Sequence, residues 1–436
     1  MEEWKEYNIK DAPKVSLAEL LDFIVDNRGK TVPTSASGIP LIATNCIKND
    51  LLYPTFEKIR YVSDDIFKTW FRAHPKPGDI IFVNKGTPGK TALVPNPVNF
   101  CFAQDMIAFR VKKHIVYNKY LLAVLRSRPI LKFIDNSQVG TIIPHFKKEQ
   151  LKTILIPLPK MEIQKKIGDL YFFFSEKCEV NRRICENLEA QAQALFKHWF
   201  IDFAPFKNGN FCANREQNET CFNSAEVQPK ITGKACKFVE SELGMIPEGW
   251  RVGTLTEIAE YLNGLAMQKF PPLSADDSIP VLKIKELGQS QCDSNSDKCS
   301  KQIKPEYIIK NGDVVFSWSG TLMVDIWCGG ICGLNQHLFK VTSDTYPKWF
   351  YLMWTKHHLA EFIRIAKDKA VTMGHIKRGD LEKALVAIPD SDTLDKMSKV
   401  MEDIYNQIIN TRLESNSLST LRDTLLPKLM SGQIKV

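Results

Sequence analysis

Gly78-Asp79-Ile80-Ile81-Phe82 returns later in the chain as Gly312-Asp313-Val314-Val315-Phe316. Each copy is a Gly-Asp turn followed by a run of β-branched and aromatic residues, which reads as a strand entered through a tight turn. Other pairs keep the same order around it. Ile39-Pro40-Leu41-Ile42 precedes the first copy, and Ile279-Pro280-Val281-Leu282 precedes the second. Thr141 and His145 correspond to Thr372 and His375, Leu158-Pro159 to Ile388-Pro389, and Asn181 to Asn410. The separation between partners shrinks steadily along the chain, as small deletions would make it. The sequence therefore reads as one layout used twice.

Each half opens as a mixed module. Residues 80–83, 314–316, 151–158 and 384–388 are read as strands, and 117–133 and 349–365 as helical pieces. Each half then closes on a long helix. The first covers 161–203, with Glu162 near its positive end. The second covers 391–436, behind Pro389, with Asp390 or Ser391 as its cap. Steps of four and three give a seam of Ile163, Ile167, Leu170, Phe174, Lys177, Asn181, Ile184, Leu188, Gln191, Leu195 and His198 in the first. The second seam is Leu394, Met397, Met401, Ile404, Ile408, Thr411, Ser415, Leu418, Arg422, Leu425 and Leu429. A seam held over about five heptads points to a coiled coil. Two separate amphipathic helices, each on its own module, are the other arrangement open at this point. Stretches 177–183 and 411–417 are the most polar part of both seams. Residues 204–240 hold few large apolar residues and read as a linker. The fold class is α+β: two similar α/β modules, 1–160 and 241–390, with two long helices.

The 436 residues carry 58 Lys and Arg against 50 Asp and Glu, a net charge of +8. With 44% hydrophobic and 25% charged residues, the composition is globular and excludes wholesale disorder. No apolar run reaches the roughly 18 residues of a membrane span. The start, Met1-Glu2-Glu3-Trp4, lacks a signal-peptide pattern, so a cytoplasmic location without membrane contact is expected. The eleven cysteines include no CxxC pair, which favours reduced thiols over a disulfide framework. Cys328-x3-Cys332 followed by His337 lacks zinc-site spacing, so no metal is expected.

Catalytic motifs are missing. Gly86-Thr87-Pro88-Gly89-Lys90-Thr91 resembles a phosphate-binding loop but has two residues between its glycines where four are needed. A nuclease or nucleotide hydrolase would rest on that loop alone. No GxGxxG follows a strand, and neither HExxH nor GxSxG occurs. Phe270-Pro271-Pro272-Leu273 lacks the polar residue an amino-methyltransferase needs beside its prolines. Binding is what remains, and a basic chain favours polyanions. Polar and basic residues gather at expected loop tips. In the first half these are Arg28, Lys30, Thr31, Lys85, Thr87, Lys90, Thr141, His145 and Lys147. In the second they are Trp318, Ser319, Thr321, Gln336, His337, Thr372, His375, Lys377 and Arg378. Such groups can contact base edges in a major groove while Lys and Arg hold phosphates.

Over nearly its whole length the chain resembles the specificity subunit of type I restriction–modification systems. The residues that carry the resemblance are Ser241-Glu242-Leu243-Gly244-Met245-Ile246-Pro247-Glu248-Gly249-Trp250 at the entry to the second module and Leu195-Phe196-Lys197-His198-Trp199-Phe200-Ile201-Asp202-Phe203 at the exit of the first long helix. Ile156-Pro157-Leu158-Pro159 followed by Glu162-Ile163-Gln164 resembles the family's module-to-helix junction, whereas Ile388-Pro389-Asp390-Ser391 departs from it. The resemblance implies two target-recognition domains, each reading half of a split sequence in double-stranded DNA. It implies antiparallel spacer helices and a pseudo-twofold repeat. It also implies two modification subunits carrying S-adenosylmethionine, and restriction subunits using ATP and Mg, with no cofactor in this chain. Tyr171, Phe172 and Phe173, and Trp199 with Phe200, make helix turns apolar on every face. They are candidate docking residues for modification subunits, unless they pack on the chain's own modules. A coiled-coil scaffold for proteins, without DNA binding, is the alternative function.

Overall fold

The computed structural model describes residues 12–27, 29, 31–137, 144–207, 236–368 and 374–434. Arg28, Lys30, Thr141 and Thr372 lie outside the described residues. The chain divides into two units. Unit one runs to Asn181 and takes up the chain again from Ser415; unit two is Arg182–Glu414.

Unit one contains strands β1 (Lys14–Ser16), β2 (Leu21–Val25), β3 (Ile39–Ile42), β4 (Arg60–Val62), β5 (Ile80–Val83), β6 (Thr91–Leu93), β7 (Cys101–Phe102), β8 (Met106–Val111) and β9 (Leu155–Pro157). An antiparallel sheet has the order β2-β8-β5-β6, and a second has the order β4-β3-β7 with β3 and β7 parallel. β1 pairs with β9, closing the module on itself. Ile80-Ile81-Phe82-Val83 is buried throughout because both faces of β5 are covered: Ile80 and Phe82 enter one core, and Ile81 and Val83 enter another. The Gly-Asp turn that feeds it has a physical reason. Gly78 sits at φ +84°, where a side chain would be strained. Asp79 accepts the amide of Lys76 at 2.8 Å and pairs with Arg110 on β8 at 2.7 Å. The turn is thus fastened to the sheet it enters.

Unit two repeats the scheme. Its strands are β10 (Phe238–Ser241), β11 (Gly244–Pro247), β12 (Arg251–Thr254), β13 (Glu260–Asn263), β14 (Ser278–Leu282), β15 (Lys298–Ser300), β16 (Ile308–Ile309), β17 (Val314–Ser317), β18 (Met323–Ile326), β19 (Cys332–Leu334), β20 (Leu338–Thr342) and β21 (Leu385–Ile388). Order β13-β20-β17-β18 matches β2-β8-β5-β6, and β15-β14-β19-β16 matches β4-β3-β7 with one strand added. β12 pairs with β21 as β1 does with β9. Gly312 stands at φ +90°, and Asp313 accepts the Lys310 amide and pairs with Lys340 on β20 at 3.0 Å.

Some boundaries differ from expectation. The helix expected over 117–133 is two helices, Asn118–Leu125 and Arg128–Ser137. Pro129 stands in the first turn of the second, where it needs no N–H partner but cannot continue a helix from before. Residues 151–158 hold a 3-10 turn, Lys148–Thr153, before the short β9. The β10–β11 hairpin begins inside the stretch expected as linker. Eight described cysteines are free thiols, as expected, whereas Cys236 is disulfide-bonded.

The first long helix is Met161–Phe196, continued by a π turn at Lys197–Ile201. Gln164, 1% exposed, fastens its start to the module. Its Oε1 accepts the Tyr117 amide, and its Nε2 donates to the carbonyls of Ile115 and Pro159. That gives the junction motif a structural meaning. The second long helix is Ser391–Met430, and Asp390 caps it by accepting the Thr393 amide at 3.0 Å.

Within each unit the two helices pair antiparallel. In unit one Cys178 Sγ donates to the Ser415 carbonyl and Arg422 donates to Ser175 Oγ. In unit two Cys185 Sγ donates to the Ile408 carbonyl and Arg412 pairs with Glu189. The second seam follows the expected series closely. The first is shifted at every other position. Tyr171, Cys185, Ala192 and Trp199 are buried, while Ile184, Gln191 and His198 are exposed. The heptad spacing holds, but its phase is one residue later at those places.

Candidate nucleic-acid interface

The connections at one end of each four-stranded sheet collect the expected contact residues. In unit one β5 runs into Asn84-Lys85-Gly86-Thr87 and returns through Lys90 to β6. Gly86 and Gly89 stand at φ +84° and +91°, and the Val83 amide donates to the Lys90 carbonyl. This is a hairpin between strands rather than a strand-to-helix loop, so the resemblance to a phosphate-binding loop has no structural counterpart.

Lys85 bridges to His145, and the Gly86 amide donates to the Pro144 carbonyl. The β7–β8 connection joins them. The amides of Asn84 and Lys85 donate to the Asp105 carbonyl, Lys85 Nζ lies 3.7 Å from Asp105 Oδ1, and Gln104 Nε2 reaches Thr31 Oγ1 at 3.4 Å. Gln104 and Asp105 both hold positive φ, at 54° and 42°, a strained pair of the kind found at functional sites. Asn84 Oδ1 and His145 Nε2 are buried without a hydrogen-bond partner. Thr31, Thr87 and Lys147 are exposed, and Lys90 is half-buried.

Unit two builds the same cluster from different side chains. Ser319 bridges to His375, the Gly320 amide donates to Gly374, and the Ile376 amide donates to Trp318. Ser319 Oγ lies 3.1 Å from His337 Nδ1, and Gln336 Nε2 lies 3.3 Å from His337 Nε2. Trp318 donates its indole N–H to Asn263, and its ring stands 6.3 Å from that of His375. Thr321, His375, Lys377 and Arg378 are exposed, with Arg378 only loosely paired to Glu382 at 4.0 Å. Beside the cluster opens a cleft of about 680 Å³ whose walls include Gln268, Lys283, Lys285, Lys298, Gln336 and His337. Lys283 pairs with Asp297, and Lys285 lies 3.5 Å from Asp293. Exposed pairs of this kind are weak and can be exchanged for another anion.

Sequence reasoning missed Gln104 and Asp105, although their counterparts Gln336 and His337 were among its candidates. The repeat was the signal that could have found them. It also missed the three cleft lysines. The five docking candidates separate. Tyr171 is 5% exposed, and Trp199 and Phe200 are 3% and 2% exposed, each inside its own unit's core. Phe200 packs on Trp250, Trp349 and Phe350. These three present nothing to a partner, because the apolar turns are covered by the chain itself. Phe172 is half-buried under Lys119, and Phe173 is 61% exposed. Among the described residues no group of His, Cys, Asp and Glu could hold a metal ion, and no helix is long and apolar enough to cross a membrane.

Known proteins resemble the chain over its full length. The MjaIX specificity subunit of Methanocaldococcus jannaschii is 25% identical over 450 residues, covering 100% of this chain and 97% of the relative. The HindI specificity subunit of Haemophilus influenzae is 22% identical, covering 100% of both. The crystal structure of a type I restriction–modification S subunit from M. genitalium has a TM-score of 0.52 at 13% identity, with 96% of each chain covered, so the fold is shared. The family model for the type I restriction modification DNA specificity domain matches residues 1–190 and again 247–418. A domain found twice, on the two copies of one repeat, gives the conclusion: the chain belongs to the type I restriction–modification DNA specificity family.

Proposed function

We propose that this chain is the non-catalytic DNA-reading subunit of a type I restriction–modification complex, and that each unit reads one half of a split target in double-stranded DNA. The observation that carries this reading is the twin loop cluster, bridged by Lys85 to His145 in one unit and by Ser319 to His375 in the other. Side chains on an equivalent frame differ, as they must if each half reads its own bases. Family membership favours this over a protein scaffold without DNA. In this reading Gln336, His337, Trp318 and Ser319 face base edges, and Lys283, Lys285 and Lys298 take phosphates. Lys85, Lys90, Lys147 and Thr31 do the same work in unit one, with Thr87, Thr321, His375, Lys377 and Arg378 at the margins. S-adenosylmethionine belongs to two modification subunits, ATP and Mg to restriction subunits, and the complex works in the cytoplasm. Phe173 is the exposed residue offered for docking.

Gln336→Ala tests the assignment. A lost bidentate base contact costs roughly 1–3 kcal/mol and relaxes one position. Methylation mapping with the assembled complex should show one base of one half-site relaxed and the other half unchanged. Relaxation in both halves contradicts the modular reading, and none in either shows that Gln336 reads no base.

The paired helices set the gap between half-sites. Helices of 36 and 40 residues span about 54–60 Å at 1.5 Å per residue. Removing residues 176–182 and 415–421 takes one heptad from each and keeps the phase. It spares Arg412, Glu189 and Arg422. The rod shortens by roughly 10 Å, or about three base pairs. The same half-sequences should be methylated across a shorter gap. A folded, active deletion variant with its gap unchanged refutes the ruler.

A further inference from the structure

Unit one holds a cavity of about 230 Å³ at the break between Asn118–Leu125 and Arg128–Ser137, closed by the last turns of the second long helix. Its walls carry the side chains of Asn49, Arg126, Ser127, Arg128, Tyr171 and Arg422. Arg126 is 8% exposed. Its Nε donates to Thr91 Oγ1, its Nη2 to the carbonyls of Leu51 and Thr91 at 2.7 Å, and its Nη1 reaches the Tyr171 hydroxyl at 3.4 Å. Every one of these acceptors is neutral. Among the described residues Arg126 makes no ion pair, and a buried guanidinium without one is costly.

The other walls supply donors. Asn49 uses Oδ1 to accept from Thr91, which leaves its amide N–H groups to donate. Tyr171 accepts from Arg126, which leaves its own O–H to donate. Arg422 is 5% exposed and lies over the Tyr171 ring. Its carboxylate partner, Asp423, is 61% exposed, so solvent screens much of that charge. Arg128 is exposed at the rim, where the helix Arg128–Ser137 turns its positive end toward the cavity. Asp50 and Asp423 are the acids on the wall, against three arginines.

We propose that this cavity is an oxyanion site that takes a phosphate group. Thr91, the partner of Arg126, follows Lys90 directly, so the cavity lies behind the hairpin loop of the candidate interface. The phosphate comes either from the backbone of bound duplex or from a free phosphate compound. The first source rests on the DNA-reading function; the second does not.

Titration calorimetry of inorganic phosphate into the full chain, at ionic strength held constant with chloride, is the test. Arg128→Gln and Asn49→Asp are the variants, with thermal melts to check folding. One saturable site in the parent chain, weakened at least ten-fold in both variants, supports a free-phosphate site. No phosphate binding, but a salt dependence of duplex binding by the assembled complex that flattens by about one in Arg128→Gln, supports a backbone phosphate. Phosphate binding that both folded variants leave unchanged overturns the proposal. So does the absence of any effect on phosphate or on salt dependence, including the case where Arg128→Gln only weakens assembly with protein partners.

Discussion

Alanine in place of Arg412 will destabilise unit two by about 3 kcal/mol, the largest effect expected of a single charge in the molecule. Its Nη1 donates to both Asp325 oxygens at 3.1 Å and to the Ile326 carbonyl at 3.0 Å, and its Nη2 donates to Glu189 at 2.6 Å. One guanidinium therefore fastens the second long helix to β18 and to the first long helix at once. Burial works against its charge, but Asp325 and Glu189 outweigh burial and raise its pKa. The three side chains are 20–29% exposed, so solvent weakens the interaction without removing it. Without the arginine, two carboxylates are left facing each other, and that is costlier than losing the hydrogen bonds alone. Urea denaturation measures the loss. Arg412→Lys keeps the charge without the planar fork and should fall between. A loss for alanine below about 1 kcal/mol would show that the cluster is merely a surface pair.

Gly168→Ala will also destabilise, against the helix-propensity trend. Within an exposed helix this change gains about 1 kcal/mol. Gly168, however, lies where the first long helix crosses the start of Asn118–Leu125. A Cβ there would stand 2.6 Å from the Tyr120 backbone nitrogen and 3.0 Å from the Lys119 carbonyl carbon. Backbone cannot swing aside as a side chain can. The helix would have to lift, straining the three hydrogen bonds of Gln164 one turn away. A net loss of about 2 kcal/mol is expected, confined to unit one. Thermal melts with hydrogen exchange check both points. A gain in stability would mean that the helix slides freely on the module.

Much of this fold is written in local chemistry. The Gly-Asp turns and the apolar runs behind them are readable because turn and strand preferences act over a few residues. The same holds for the Asp390 cap and for the long helices, whose seams repeat many times. The one-residue phase error arose where two neighbouring positions are both apolar, and the strict four-three step then carried it onto Gln191 and His198, although the buried Ala192 and Trp199 stand directly beside them. Leu170 stands beside Tyr171 and Ile184 beside Cys185, and pattern alone ranks an isoleucine above a thiol. The second sheet of each unit was not readable. Its strands are two to five residues long, and the parallel pairing of β3 with β7 joins segments far apart in sequence. Trp199 and Phe200 show a different limit. An all-round apolar helix turn must be covered, but its sequence does not say whether the cover is the same chain or another. The loop cluster was legible through His145 and His375, which the repeat aligned. Of the cleft lysines, Lys283 and Lys285 follow β14 and Lys298 opens β15, and a basic residue near a strand end carries no signal of its own.

The division of the chain has a consequence for the order in which the molecule is made. Unit two is continuous, Arg182–Glu414, whereas unit one needs residues from Ser415 onward. Leu426 belongs to the unit-one core, and Met430 packs against it. During synthesis, then, the module translated first cannot complete its core until the later one has been made. The second-made unit can close while the first still exposes the face that Leu426 and Met430 will cover. Chains stalled on the ribosome once residue 414 has emerged from it should resist protease across 238–368 and 374–414 and be cut in 161–181. Extension beyond residue 430 should protect that segment.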